Sequence, residues 1–353
     1  MRQTRLMVMA GGTGGHVFPA LAVAKQLRDA GTEVTWLGTK RGLESTVIPA
    51  NDIAIEWVSI DGLRGKGGFS LLLAPLKLAR AMWQSAAVIR RVQPDCILGM
   101  GGFVSGPGGL VARLMGRSLV VHEQNAVAGL TNKYLAKLAN RVLTGFANVE
   151  GLPASARWVG NPVREAIQPN HTNSSNKLNV LIIGGSQGAH SFNLKLPSVF
   201  SAIAHQSVSI WHQSGRGRDT DVVALYKANG VNAKVSEFIE DMASAYAWAD
   251  LLICRAGAMT IAECCAAAKP ALLVPYPFSA GDHQQKNALT MVNVGAGKMS
   301  LNHQIDTPEF SRELVSLLSD KAVLRLMGQQ AYTLHKPNAL RDVVAICQEY
   351  LDA

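Results

Sequence analysis

The residues best suited to chemistry sit in one stretch near the start of the chain, Met9-Ala10-Gly11-Gly12-Thr13-Gly14-Gly15-His16-Val17-Phe18-Pro19-Ala20. An apolar run at 6–10 leads into four glycines in five positions, and an amphipathic pattern follows. This reads as strand, tight loop, helix. Glycine tolerates positive φ and lets bare backbone N–H groups approach a ligand. A helix N-terminus adds unpaired N–H donors and a partial positive charge. Phosphate, or an anion that develops during a reaction, suits such a site. His16 stands at the helix start beside it, and imidazole exchanges a proton near neutral pH. The spacing is not G-x-G-x-x-G, because His16 and Val17 take the places a third glycine would need, and no lysine follows as in a Walker loop. Glycines that only let strand and helix pack tightly are the alternative, but one tight turn does not need four of them.

Three further stretches carry candidate groups. Val180-Leu181-Ile182-Ile183-Gly184-Gly185-Ser186-Gln187-Gly188-Ala189 repeats the first stretch, with Ala189 where the first copy has His16. Glu123-Gln124-Asn125 ends an apolar run, and polar side chains at the carboxyl end of a buried strand are where open α/β sheets hold ligands. A turn or cap role is the alternative for Asn125. Arg255-Ala256-Gly257-Ala258-Met259-Thr260-Ile261-Ala262-Glu263 reads as strand end, turn and helix start. Glu263, one turn in, is placed to accept two ribose hydroxyls or, alternatively, to compensate the helix dipole. Asp282-His283-Gln284-Gln285-Lys286-Asn287 opens another helix with a dense polar cluster.

The elements that must position these groups follow from periodicity. Strands are expected at 33–37, 53–58, 95–98, 119–122 and 141–144, and again at 180–183, 208–213, 233–235, 251–254 and 271–274. Helices are expected at 19–29, 43–50, 130–138, 241–248, 307–318, 321–334 and 339–350. Residues 99–109 read as a second glycine-rich loop. A boundary is expected at 160–164, with a polar linker at 168–179. A strand–glycine loop–helix unit repeated half a chain apart suggests two similar α/β domains. Residues 60–68 read as a basic flexible loop before a long helix at 69–91, in which Pro75 marks a kink or break. That helix carries one apolar stripe at Leu71, Pro75, Leu78 and Met82 and a second at Phe69, Leu72, Leu76, Ala79 and Trp83. Lys66, Lys77, Arg80, Arg90 and Arg91 surround them. One stripe can serve the core. The other, Phe69, Leu72, Leu76 and Trp83 with Lys66 and Arg80, suits docking on an anionic lipid surface, unless the whole helix is buried between neighbours.

The chain has 353 residues, 48% hydrophobic and 17% charged, with a formal net charge of +9. Large cores can form, disorder is disfavoured, and anionic partners are favoured. Five cysteines without a C-x-x-C suit a reducing, cytosolic compartment. The first apolar run is too short for a signal peptide, and no uncharged apolar run is long enough to span a bilayer.

The ordered set GGTGGHVFPA at 11–20, GMGGFVSGPGG at 99–109, HEQNAVAGLTNK at 122–133, GNPVR at 160–164, GGSQGA at 184–189, FIEDMASAYAWAD at 238–250, RAGAMTIAE at 255–263 and DHQQKNA at 282–288 resembles the MurG family of bacterial peptidoglycan glycosyltransferases along nearly the whole chain. One such loop alone is weak; the ordered set is specific, and the motif positions show no departure. The resemblance implies the GT-B fold: α/β, two Rossmann-like domains with parallel sheets facing a central cleft, which donor binding would close. The N-terminal acceptor and membrane-docking domain would span 1–163, with a C-terminal helix at about 339–353 packing back onto it, and the UDP-sugar domain 164–338. It implies inverting transfer of N-acetylglucosamine from UDP-N-acetylglucosamine to the C4 hydroxyl of the muramoyl sugar of lipid I, giving lipid II and UDP, at the cytoplasmic face of the inner membrane. Donor binding is carried onto Thr13, Gly14, Gly15, Asn125, Arg164, Ser186, Ile239, Ala258, Met259, Thr260, Ile261, Ala262, Glu263 and Gln285, with Gln284 an adjacent candidate. Arg164, Ser186 and the helix near Ala258 would hold the pyrophosphate, Ile239 would present backbone to uracil, and Glu263 would hold ribose. His16 is the candidate base or acceptor-positioning group. No D-x-D motif stands out as a metal clamp, so no tightly bound metal or cofactor is expected. Besides donor, lipid I and the anionic membrane surface, other cell-wall synthesis and division proteins are implied partners.

Two rivals remain at this point. A UDP-N-acetylglucosamine 2-epimerase, or a transferase for another lipid acceptor, could share the fold, although a soluble epimerase would not need the apolar basic helix. A nucleotide- or RNA-binding protein would use the positive charge, but aromatics are only 6% of the chain and no aromatic-basic platform appears.

Overall fold

The computed structural model describes residues 3–60, 73–170, 177–185, 188–203 and 207–352, excepting the side chain of Ala280. Lys66, Phe69, Leu72 and Ser186 lie outside the described residues. Contacts divide the chain into two units, Met1–Pro162 with Pro337–Ala353, and Val163–Lys336.

The first unit holds a parallel sheet of β1 (Arg5–Ala10), β2 (Glu33–Gly38), β3 (Ala54–Trp57), β4 (Cys96–Gly101), β5 (Ser118–Glu123), β6 (Arg141–Thr144) and β7 (Arg157–Trp158), in the order β3-β2-β1-β4-β5-β6-β7. The strand order reverses between β1 and β4, which makes their carboxyl ends a topological switch point. β1 is buried on both faces, so it reads as a continuous apolar run. Leu6, Val8 and Ala10 pack into one core with the Gly14–Asp29 helix and the Ala339–Leu351 helix, which adds Val343, Val344, Ile346, Cys347 and Leu351. Met7 and Met9 face the opposite core with Ala81, Val88 and Ile89 of the Ala74–Val92 helix and Val111 of the Ser105–Leu114 helix.

Several elements differ from the sequence-based expectation. The first helix begins at Gly14, five residues early, because the Thr13 carbonyl accepts the N–H groups of His16 at 3.1 Å and Val17 at 3.2 Å. Residues 99–109 are not a loop: Gly99–Gly101 extend β4, and Ser105 opens a helix. The helix glycines there permit close packing, since a Cβ on Gly108 would stand 2.5 Å from the Met9 sulfur and one on Gly109 2.8 Å from Leu135. Pro75 lies in the first turn of its helix, where a missing N–H is tolerated. The face of that helix in the core is Ala81, Ser85, Val88 and Ile89, phased differently from either apolar stripe. Leu76, Leu78 and Trp83 are exposed.

The second unit repeats the architecture with β8 (Leu178–Ile183), β9 (Val208–Gln213), β10 (Ala233–Ser236), β11 (Leu251–Cys254), β12 (Ala271–Leu273) and β13 (Gly297–Met299), all parallel, in the order β10-β9-β8-β11-β12-β13. Its switch point lies between β8 and β11. β7 and β13 escaped the sequence reading because an edge strand of two or three residues has no period to detect. All five cysteines are free and buried. Among the described residues no helix is long and apolar enough to cross a membrane.

Candidate active site

In the first unit, two glycine turns converge on His16 at the switch point. Gly101 and Gly102, at the end of β4, have φ of +99° and +87°. A Cβ on Gly102 would stand 2.5 Å from the Gly11 carbonyl oxygen, and one on Gly101 would stand 2.9 Å from His16 Cε1. Only glycine leaves the room that the imidazole and the first loop occupy. Ser105 Oγ donates to the carbonyls of Met9 at 2.9 Å and Gly101 at 2.8 Å, tying β1 to β4 beneath the ring. Thr13 is the helix N-cap in extended geometry and is exposed, with Gly14 and Gly15 half-buried at the first two helical positions, ahead of the first helical hydrogen bond. This part of the first unit can receive an anion and exchange a proton.

The buried side chains that hold the loops were not legible as such. Glu44 is fully buried; its carboxylate accepts the N–H of Gly12 at 2.9 Å, and the N–H and Oγ of Thr39 at 3.0 and 2.7 Å. Glu123 accepts the N–H and side-chain amide of Asn125 at 2.9 and 3.1 Å through one oxygen. Its other oxygen accepts the Gly129 N–H at 3.0 Å and the Asn132 side chain at 2.8 Å. Asn125 is thus held at the end of β5, half-buried. Gln124 Oε1 lies 2.8 Å from His16 Nδ1. His122 is fully buried, with Nε2 2.9 Å from the Gly160 carbonyl, and burial lowers its pKa from 6.5 to about 4. The Asn161 side chain donates to the Gln124 carbonyl at 3.0 Å, so the Gly160-Asn161 pair braces the end of β5. Of these, Glu123 and Gln124 carried a signal in the sequence, in the polar run at the end of the strand.

In the second unit the glycine turn after β8 has Gly185 and Gly188 at positive φ, and a Cβ on Gly188 would meet the Ser214 carbonyl at 2.0 Å. The Ala258–Ala266 helix starts at Gly257 as its N-cap. Ala258 and Ile261 are buried, so their side chains are closed to a ligand; Met259, Thr260 and Ala262 are half-buried. Glu263, mostly buried, accepts from Arg164 at 3.2 Å and from the hydroxyl of Tyr246 at 3.0 Å. Burial raises its pKa, with Arg164 and Tyr246 pulling the other way. Each carboxylate oxygen keeps a second lone pair for a ligand hydroxyl. Ile239 is buried, so its side chain is closed to a ligand. Gln284 Oε1 accepts the Tyr276 N–H at 2.8 Å and so braces the turn after β12; Gln285 is half-buried. Asn287 donates to the Ala256 carbonyl at 3.1 Å, which makes that member of the polar cluster structural. The one D-x-D triplet, Asp219-Thr220-Asp221, opens a helix, where acidic residues compensate the dipole. Among the described residues no three His, Cys, Asp or Glu side chains cluster to hold a metal.

The family models for the glycosyltransferase family 28 N-terminal and C-terminal domains match residues 6–144 and 179–343. The chain belongs to glycosyltransferase family 28, in its MurG group. Within family 28, a protein of Hahella chejuensis called UDP-N-acetylglucosamine--N-acetylmuramyl-(pentapeptide) pyrophosphoryl-undecaprenol N-acetylglucosamine transferase is 46% identical, over 97% of this chain and 97% of its own length. The crystal structure of Acinetobacter baumannii MurG superposes with a TM-score of 0.86 at 39% identity, covering 98% of this chain and 99% of that one. A putative UDP-N-acetylglucosamine 2-epimerase from Listeria monocytogenes reaches a TM-score of 0.69 at 14% identity over 100% of this chain and 97% of its own, a likeness of fold alone. Family 28 membership, with near-full-length relatives that bear the transferase name, sets aside the epimerase and nucleic-acid readings; the fold alone does not.

Proposed function

We propose that the chain transfers N-acetylglucosamine from UDP-N-acetylglucosamine to the C4 hydroxyl of the muramoyl sugar of lipid I, with inversion, releasing UDP and lipid II. Near-full-length relatives that bear this enzyme name support the substrates. The observation that supports the mechanism is the His16 imidazole, cupped by Gly101 and hydrogen-bonded through Nδ1 to Gln124. His16 takes the acceptor proton as the hydroxyl attacks an oxocarbenium-like anomeric carbon in line with the departing UDP. The first-turn amides of the Ala258–Ala266 helix and the Arg164 guanidinium stabilise the leaving pyrophosphate, with Ser186 a further ligand. Glu263 holds the ribose, Ile239 presents backbone to uracil, and Thr13, Gly14, Gly15, Asn125, Gln284 and Gln285 complete donor binding. The reaction uses no tightly bound metal. The enzyme works peripherally at an anionic membrane, the cytoplasmic face of the inner membrane, through the exposed Leu76 and Trp83 with Arg80, alongside other cell-wall synthesis and division proteins.

The test is transfer of labelled N-acetylglucosamine to a lipid I analogue. Wild type gives the β-linked product, in EDTA as well as without it. His16→Ala lowers turnover by about 100-fold or more, with UDP affinity kept. Unchanged turnover in His16→Ala removes the histidine from the mechanism, and absence of wild-type transfer removes the acceptor assignment.

A further inference from the structure

We propose that His122 and Gln124 act as positioning residues: they lock the His16 imidazole in its Nδ1–H tautomer and so leave Nε2 bare to take the acceptor proton. The proposal rests on the reading of His16 as base.

The Gly160 carbonyl can only accept, so His122 Nε2, 2.9 Å away, carries the hydrogen. Full burial keeps His122 neutral near pH 7, with the adjacent Glu123 carboxylate the one charge that draws its pKa upward. A neutral imidazole has one proton, so His122 Nδ1 is an acceptor. Gln124 is buried, and its amide nitrogen meets three acceptors: His122 Nδ1 at 3.2 Å, the His122 carbonyl at 3.2 Å and the Met100 sulfur at 3.8 Å. The NH2 group must face them. The amide oxygen therefore faces His16 Nδ1 at 2.8 Å, and because it can only accept, Nδ1 must donate.

The consequence for the reaction is balanced. The acceptor hydroxyl gives its proton to Nε2 as its oxygen bonds to the anomeric carbon, while the bond from that carbon to the UDP oxygen breaks and UDP leaves with the electron pair. The resulting imidazolium still donates from Nδ1 to Gln124, now through a charge-assisted and stronger bond. Using an amide in place of a carboxylate also has a reason. A carboxylate would raise the imidazole pKa and favour its charged form, whereas a neutral oxygen orients the ring without that bias.

The experiment is a long-range proton–nitrogen correlation spectrum of the full chain labelled with nitrogen-15 histidine, with His16 assigned by loss of its signals in His16→Gln. At about pH 8, where free imidazole is neutral, wild-type His16 should show a protonated Nδ1 and a bare Nε2. Gln124→Leu fills a similar volume but cannot accept. It should move His16 towards a mixed tautomer and lower kcat by about 10- to 100-fold, with the donor KM unchanged. A wild-type spectrum with a bare Nδ1 and protonated Nε2 overturns the proposal, whether or not the variant folds; so does Gln124→Leu turning over at the wild-type rate. Retained turnover in His16→Ala would instead sink the base reading, while the tautomer seen in the spectrum would stand.

Discussion

Glu44 carries no chemistry of its own, yet the glycine loop that leads to His16 depends on it. It lies 32 residues from Gly12, whose N–H it accepts, and it is fully buried with two further bonds from Thr39. Glu44→Ala strands these donors and should lower stability by about 3 kcal/mol, read as a lower Tm in thermal denaturation, with transfer activity falling as the loop loosens. An unchanged Tm would show that water replaces the carboxylate at no cost. The contrast with His16 explains what was legible at this scale. An imidazole among glycines announces itself locally, because the unusual composition and the chemistry share one stretch. Its partner Gln124 is 108 residues away, and nothing in either stretch specifies that meeting.

The Ala74–Val92 helix shows how an element can be recognised while its orientation is not. Apolar spacing gave the helix and an exposed patch but not the core face. The buried positions Ala81 and Ser85 are small, so hydrophobicity does not single them out, whereas Leu76 and Trp83 are 68% and 73% exposed. Leu76, Arg80 and Trp83 recur at four- and three-residue spacing and share one face. Burying the two apolar side chains in lipid should dominate membrane affinity, so Leu76→Ser with Trp83→Ser should cut binding to anionic phospholipid vesicles by about 10-fold or more. Turnover of a water-soluble acceptor should stay at the wild-type rate. Equal sedimentation with vesicles before and after substitution would move the membrane contact elsewhere. The Ser105–Leu114 helix failed to read as a helix for the opposite reason. Its glycines are weak helix formers, and tertiary contact with Met9 and Leu135 overrides that weakness.

At the scale of the whole molecule, each unit hides a histidine in its core. Burial lowers His122 from 6.5 to about 4 and His212 from 6.5 to about 3. His212 Nδ1 lies 3.0 Å from the Tyr226 hydroxyl, and its Nε2 has no partner among the described residues. As pH falls below 6.5 the unfolded chain binds a proton at each histidine and the folded chain does not. Stability therefore falls with pH, by up to about 1.4 kcal/mol per unit for each residue. Glu263, whose carboxyl is raised by burial, works in the opposite sense. Between pH 6.5 and about 5, before ordinary carboxylates titrate, Tm should drop steadily, and His212→Phe should make the slope shallower. A flat Tm over that window would mean that the folded protein admits the proton.

The sequence by itself determined the two α/β units, the strand–glycine loop–helix repeat, the family, and the positions of His16, Asn125, Arg164 and Glu263. Each is written in local composition or in a period of a few residues, and the backbone's short-range physics reads it directly. Only tertiary structure decided that Gly101 makes room for the imidazole, that Glu44 and Glu123 hold the loops, and that the His122–Gln124 chain ends on His16 Nδ1. Those facts rest on packing between strands ordered β2-β1-β4-β5. A parallel sheet brings together carboxyl ends that are far apart in the chain, where a hydrogen bond depends on geometry that no neighbouring residue encodes.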